Sequence, residues 1–416
     1  MGSKIAGCRV VVTGMGTVTA LGQTVSEFWS GLTAGRSGVA PLSDASFSGS
    51  RIRIGASVRD FNHKSRLAHW RRDQTVVLSD RYSWLAAAAA DEAIKQCGLE
   101  LPLTHGARAA CIIGSGAGGQ ITAETACRDR FIDGKKAVHP LLLLRTISSS
   151  AAAHIGIELG IKGPTFSICS AGASASHAIG VGRALIRDGF VDVAIVGGSD
   201  SMLTYGAILA CDALHLLSPE GCFPFSQNRN GTVLAEGAGV LILESQAYAT
   251  ERGAKILAEL CGFGMTSNAT DMLHSNDASM SATMDAALSD AELGPENIDY
   301  INANGTGTVS NDQSETIAIK KVFGRHAKNL AVSSTKSMHG ECFGAGGAIE
   351  AIACIKAMET DVMPPTIGLA ERDPVCDLDY VPNVGRLRKL RHTMSNTFAL
   401  GGLNAVLVFG PPPSAA

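Results

Sequence analysis

The side chains of this chain best suited to covalent chemistry are its eleven cysteines. They are odd in number, lie far apart at positions such as Cys8, Cys97, Cys169, Cys261 and Cys376, and form no Cys-x-x-Cys pair. That spacing predicts free thiols and no metal site. Such thiols fit a reducing, cytoplasmic setting. A second pattern, Gly114-x-Gly116-x-x-Gly119, follows a β-branched run and matches a dinucleotide-binding turn. Ribose binding also needs an acidic residue closing a strand about twenty positions on. The stretch there is Arg128-Asp129-Arg130-Phe131-Ile132-Asp133-Gly134, so no nucleotide is expected. Three further segments mix tight turns with polar groups that could meet in one site: Gly163-Pro-Thr-Phe-Ser-Ile-Cys-Ser-Ala-Gly-Ala-Ser174, Asn302-Ala-Asn-Gly-Thr-Gly-Thr308 and Ser333-Ser-Thr-Lys-Ser-Met-His-Gly-Glu341.

Short buried strands alternating with helices must position these turns. Arg9 to Gly16 reads as a strand that enters a turn at its glycines, and Ala109–Ile113, Val191–Val196 and Val240–Leu243 read as further strands. Between them, Tyr82 to Cys97 is alanine-rich and helical, with Gly98 as its stop. From about Glu251 the pattern begins again: a strand at Ile256–Leu260, a helix from Ser279 to Leu293, strands at Tyr300–Ala303 and Ala331–Ser334, a helix from Gly344 to Met358, and a last strand at Ala405–Phe409. The expectation is one compact α/β body with a mainly parallel covered sheet, made of two similar halves, 3–250 and 251–412, with Pro411–Ser414 as a loose tail.

The three polar segments, in that order and spacing, resemble elongating β-ketoacyl-acyl carrier protein synthases. The likeness runs from Val12-Thr-Gly-Met-Gly16 to Asn396-Thr-Phe-Ala-Leu-Gly-Gly402 and the last strand. It implies the thiolase fold, two α/β halves in a five-layer αβαβα sandwich. In that family a cysteine at a helix N-terminus carries the acyl chain, and two histidines stabilise the enolate formed by decarboxylation of malonyl-carrier protein. The matching positions here are Gly172, Asn304 and Glu341. Glycine cannot form an acyl-enzyme. Asparagine keeps a hydrogen-bond donor. A carboxylate about 4 Å from a developing enolate costs about 4 kcal/mol at an effective dielectric near 20, on the order of a thousandfold in rate. A relocated nucleophile at Cys169, Cys222 or Cys342 is the competing account. Cys169 is expected to point into packed core, and Cys342 to be blunted by Glu341. His177 and His339 are expected to be structural.

The resemblance also places Lys336, Glu350, Asp312 and Glu315 in a buried ionic frame around the site, and Phe398, Leu400 and Gly401-Gly402 in a gating loop. A kept frame with lost chemistry resembles the chain-length factors of type II polyketide synthases. These pair with an active ketosynthase as a heterodimer and help to form its acyl tunnel. Gly172 departs from the glutamine found in the best-known examples, which leaves the subfamily open, aryl polyene systems being one candidate. Ala117 is expected at the dimer interface, beside that tunnel. The alternatives are a malonyl-carrier-protein decarboxylase and an inactive homodimer that docks carrier protein. No cofactor is implied beyond the phosphopantetheine arm that acyl carrier protein brings. Arg71-Arg72 and Lys135-Lys136 are the paired bases that could meet such an acidic partner. A net charge of −3 spread along the chain argues against nucleic acid, and no apolar run reaches the ~18 residues of a membrane span.

Overall fold

The computed structural model describes residues 8–413 except 43–46, 48, 71–78, 101, 102 and 104. Arg71 and Arg72 of the candidate docking face, and Ser414 of the tail, therefore lie outside the described residues. Ten strands and seven helices carry the architecture discussed below. In the first half they are β1 (Val10–Val18), α1 (Arg81–Cys97), β2 (Ala109–Gly114), α2 (Gln120–Phe131), α3 (Ser150–Leu159), β3 (Thr165–Ile168), α4 (Ser174–Arg187), β4 (Val193–Ser201) and β5 (Glu236–Ser245). In the second they are β6 (Ala258–Ser267), α5 (Asp277–Ala291), β7 (Tyr300–Asn302), α6 (Val309–Phe323), β8 (Ala331–Ser333), α7 (Gly346–Thr360), β9 (Thr393–Ala399) and β10 (Leu403–Gly410).

The strand order is β8-β7-β9-β10-β6-β1-β5-β4-β2-β3. Each side of the β6/β1 junction has the same plan: two parallel junctions at the outer end, then two antiparallel ones. The halves join where Val11 and Val12 pair with Glu259 and Ala258. With five of nine junctions antiparallel, the sheet is mixed, which corrects the mainly parallel expectation. Strand and helix alternation alone does not tell a crossover from the reversal at β4/β5 or β9/β10.

Helix α1 covers one outer face and α5 the other, while α4 and α7 touch each other and strands of both halves between the sheets. This is the αβαβα layering. Its close fit explains a second correction. β1 and β4 run straight through the glycines expected to end them. A Cβ at Gly14 or Gly16 would overlap the carbonyl oxygen of Ala93 or Ala89 on α1, so these glycines admit a helix rather than turn the chain. The facing residues Ala86–Ala90 are fully buried, and Gly98 ends the helix at φ 69°.

Candidate functional site

The turn before α4 holds Gly172, which the sequence resemblance matches to a nucleophile position. Ala171 bears the strain, with φ 49°, and Ser174 ties the turn by donating its hydroxyl to the Ala171 carbonyl (2.7 Å) while accepting from the Ser170 amide (2.9 Å). Gly172 itself is not at positive φ. A Cβ there would meet only the Ala399 Cβ at 3.5 Å, an ordinary contact. Neither backbone nor space demands glycine at 172.

Asn304 follows β7 and is held by α6: Glu315 accepts the Asn304 and Gly305 amides at 2.9 and 2.8 Å and the Asn396 side chain at 3.1 Å. Burial pushes Glu315 up to about 7, against those hydrogen bonds. The Asn304 side-chain amide donates to Asn311 Oδ1 (2.8 Å) and to the Phe398 carbonyl (3.0 Å). Both of its hydrogens are thus engaged, and an oxyanion could gain one only by displacing a partner. Asp312 accepts from the Phe225 amide at 2.8 Å and lies beside buried Arg229. Burial pushes it up to about 6.

Lys336, 1% exposed, forms a charge cluster with Glu350 and Glu341. Its ammonium contacts Glu350 closely, lies 3.8 Å from Glu341 Oε2, and donates to Asn304 Oδ1 at 3.4 Å. Burial would lower its pKa, but the carboxylates of Glu350 and then Glu341 more than offset this and raise it. Glu341 also accepts the Phe343 amide at 2.8 Å. It is built into the site, with Oε1 on that amide and Oε2 facing the Lys336 ammonium.

A cavity of about 370 Å³ joins these groups. Gly172, Asn304, Lys336, Glu341, Phe398 and Leu400 line it, with Phe343, Leu216, Met272, Leu273 and Val309 as apolar wall. Glu350, Asp312 and Glu315 stand behind it as its buried support. Ala117 does not line it. The 211–217 and 268–280 segments supply wall that the sequence reading missed, since they carry no reactive residue pattern. The loop at Phe398–Gly402 is fastened to one of them: the Gly401 amide donates to the Met272 carbonyl and the Asn268 amide to the Gly402 carbonyl, each at 2.9 Å.

Cys169 requires a correction. It is exposed, because β3 is the edge of the sheet and is itself largely uncovered; its thiol donates to the Gly116 carbonyl at 3.7 Å and does not line the cavity. Cys222 is buried, which pushes its thiol up to about 12. Burial and then Glu341 raise the Cys342 thiol well above its usual range. His339 is fully buried between Thr335 and Gly340, and His177 is hydrogen-bonded to Ser170 at 2.7 Å. The glycine-rich turn cannot cradle a phosphate: Ser115, Gly116 and Ala117 already donate to the buried Asp200 carboxylate. Among the described residues, no group of three or more His, Cys, Asp or Glu could hold a metal ion, and no helix is long and apolar enough to cross a membrane.

Fold and site together are those of a condensing-enzyme scaffold. Residues 8–249 match the β-ketoacyl synthase N-terminal domain and 257–370 the C-terminal domain, and the chain belongs to the β-ketoacyl synthase family. It is 43% identical over 401 residues to nodulation protein E of Rhizobium meliloti, covering 96% of this chain and 98% of that protein. Among solved structures it superimposes on the ishigamide ketosynthase/chain length factor with a TM-score of 0.93 and 33% identity, over 98% of this chain and 100% of that one. It also matches a type II polyketide synthase ketosynthase, solved with its acyl-carrier protein and bound to the hexaketide, with a TM-score of 0.88 and 30% identity over the same shares.

Proposed function

We propose that this chain is the non-catalytic, chain-length-setting subunit of a heterodimeric condensing enzyme. One observation carries the reading: at the three positions where the family needs a thiol and two imidazoles stand Gly172, Asn304 and Glu341, while the frame behind them is intact. Decarboxylation by this chain alone is disfavoured, since the Asn304 amide hydrogens are engaged and the Glu341 carboxylate faces the cavity. An uncovered apolar face supports a protein partner. Phe131, Ile132 and Leu143 are 80%, 78% and 70% exposed, and β3 leaves its sheet edge unpaired. The substrate class is an acyl chain on a phosphopantetheine-bearing carrier protein, in type II polyketide or fatty-acid-like synthesis.

The test is co-expression with an active ketosynthase of the same source. The account expects a one-to-one complex, and products shortened by Ala117→Phe, which adds roughly 100 Å² of apolar surface at the turn assigned to the interface. A chain that purifies only with itself, or an unchanged product distribution from a stable mutant complex, contradicts it.

A further inference from the structure

Phe343 stands in a rare position. It is a non-glycine residue at φ 49°, a strained conformation that persists only where surroundings enforce it. Two carboxylates enforce it. Glu341 accepts the Phe343 amide at 2.8 Å. Buried Asp200 uses one oxygen, Oδ2, for both the Gly344 amide (2.7 Å) and the Gly116 amide (2.8 Å), which pins the turn carrying Phe343 to the Gly114–Gly119 turn. The phenyl ring consequently lies flush on Gly116, where even a Cβ would overlap its edge. The same residue lines the cavity, whereas nothing from Gly114 to Gly119 does.

We propose that Phe343 sets the length of acyl chain that this chain's own cavity accepts, closing it against the Gly114–Gly119 turn, with Glu341 and Asp200 as the residues that position it. The ligand class is a straight acyl chain entering as a thioester, and the inference rests on the reading of the cavity as an acyl site. It gives Glu341 a task beyond the loss of an imidazole. A carboxylate oxygen can accept the Phe343 amide, and so fix the ring.

The isolated full chain is titrated with N-acetylcysteamine thioesters of straight-chain acids of increasing length, which are neutral and meet no nucleophile at Gly172. Affinity should rise roughly fourfold for each methylene buried up to a break, beyond which added carbons gain nothing. Phe343→Ala moves the break to longer chains, and Phe343→Leu, a milder change that keeps an apolar side chain on Gly116, moves it less. Glu341→Ala shifts it in the same direction, while Glu341→Gln, which retains an acceptor oxygen, leaves it in place. An unmoved break in folded Phe343→Ala and Phe343→Leu overturns the proposal. If the break moves but products of the heterodimer keep their lengths, Phe343 keeps its role and the chain-length reading fails. If the wild-type chain binds none of the series, both fall.

Discussion

Gly172 and Glu341 sit in opposite kinds of surroundings. The site at Gly172 still has room for a side chain, with only Ala399 near, whereas Glu341 is woven into the Lys336 cluster and the Phe343 amide. Gly172→Cys should therefore fold normally and present a thiol that alkylating reagents modify, yet show no condensation with malonyl-carrier protein, because the enolate still lacks its imidazoles. Turnover by that single variant at the rate of an active ketosynthase, followed by product mass spectrometry, would refute this. His339 provides a pH test. Burial, and then Lys336, lower its pKa to about 3, so the folded chain resists the proton that the unfolded chain accepts below about 6.5. Its contribution to stability is full above that value and is lost as pH falls from about 6.5 towards 3. Asp200, Asp312 and Glu315, whose pKa values burial raises, have the opposite slope, so the measurement must be a difference. The stability gap between wild type and His339→Gln should narrow by roughly 2 kcal/mol between about pH 7.5 and about pH 5; a constant gap contradicts the assignment.

Among the elements, buried strands and the alanine-rich helix were legible because they leave patterns in the sequence, whereas α2, α3, α4, α6 and β9 were not picked out. The ends and neighbours of the legible elements were less clear. Gly14, Gly16, Gly197 and Gly198 look like turn signals, but they sit inside strands where helix, strand or loop backbone comes close, a contact made between residues distant in sequence. Cys169 was misplaced for a related reason: period-two alternation tells which face a strand residue takes, not whether that strand is a covered one or an edge. The site residues were legible only through family motifs, and their hydrogen-bond partners were not. Nothing in the order of residues 302–311 reveals that Asn304 spends its amide on Asn311 and Phe398. The packing argument has a direct check. Gly16→Ala, forced against the Ala89 carbonyl, should lose about 3 kcal/mol or fail to fold, while Gly172→Ala should stay within about 0.5 kcal/mol of wild type. Equal unfolding midpoints in a thermal or denaturant melt would contradict the close α1–β1 approach.

On the scale of the whole molecule, two copies of one α/β plan enclose a shared central layer, and the cavity draws on both: Gly172 comes from the first half, Asn304, Lys336, Glu341 and Phe398 from the second. Such a scaffold can keep its shape after losing its chemistry, since the buried support, Glu315, Asp312 and the Lys336–Glu350 pair, does not depend on a nucleophile. Removing one member of that ion pair would cost about 3–5 kcal/mol by stranding a buried charge, so the frame is held by folding stability whether or not the site reacts. The edge strand β3 is unpaired on one side, and Phe131, Ile132 and Leu143 are exposed; on the proposed reading these are surface open to a protein partner. The central claim is met most directly by intact-protein mass spectrometry of the assembled complex after incubation with acyl- and malonyl-carrier protein. The account predicts an acyl adduct on the partner ketosynthase alone and an unmodified mass for this chain, whether isolated or in the complex. An acyl adduct on this chain, at exposed Cys169 or any other cysteine, would contradict it.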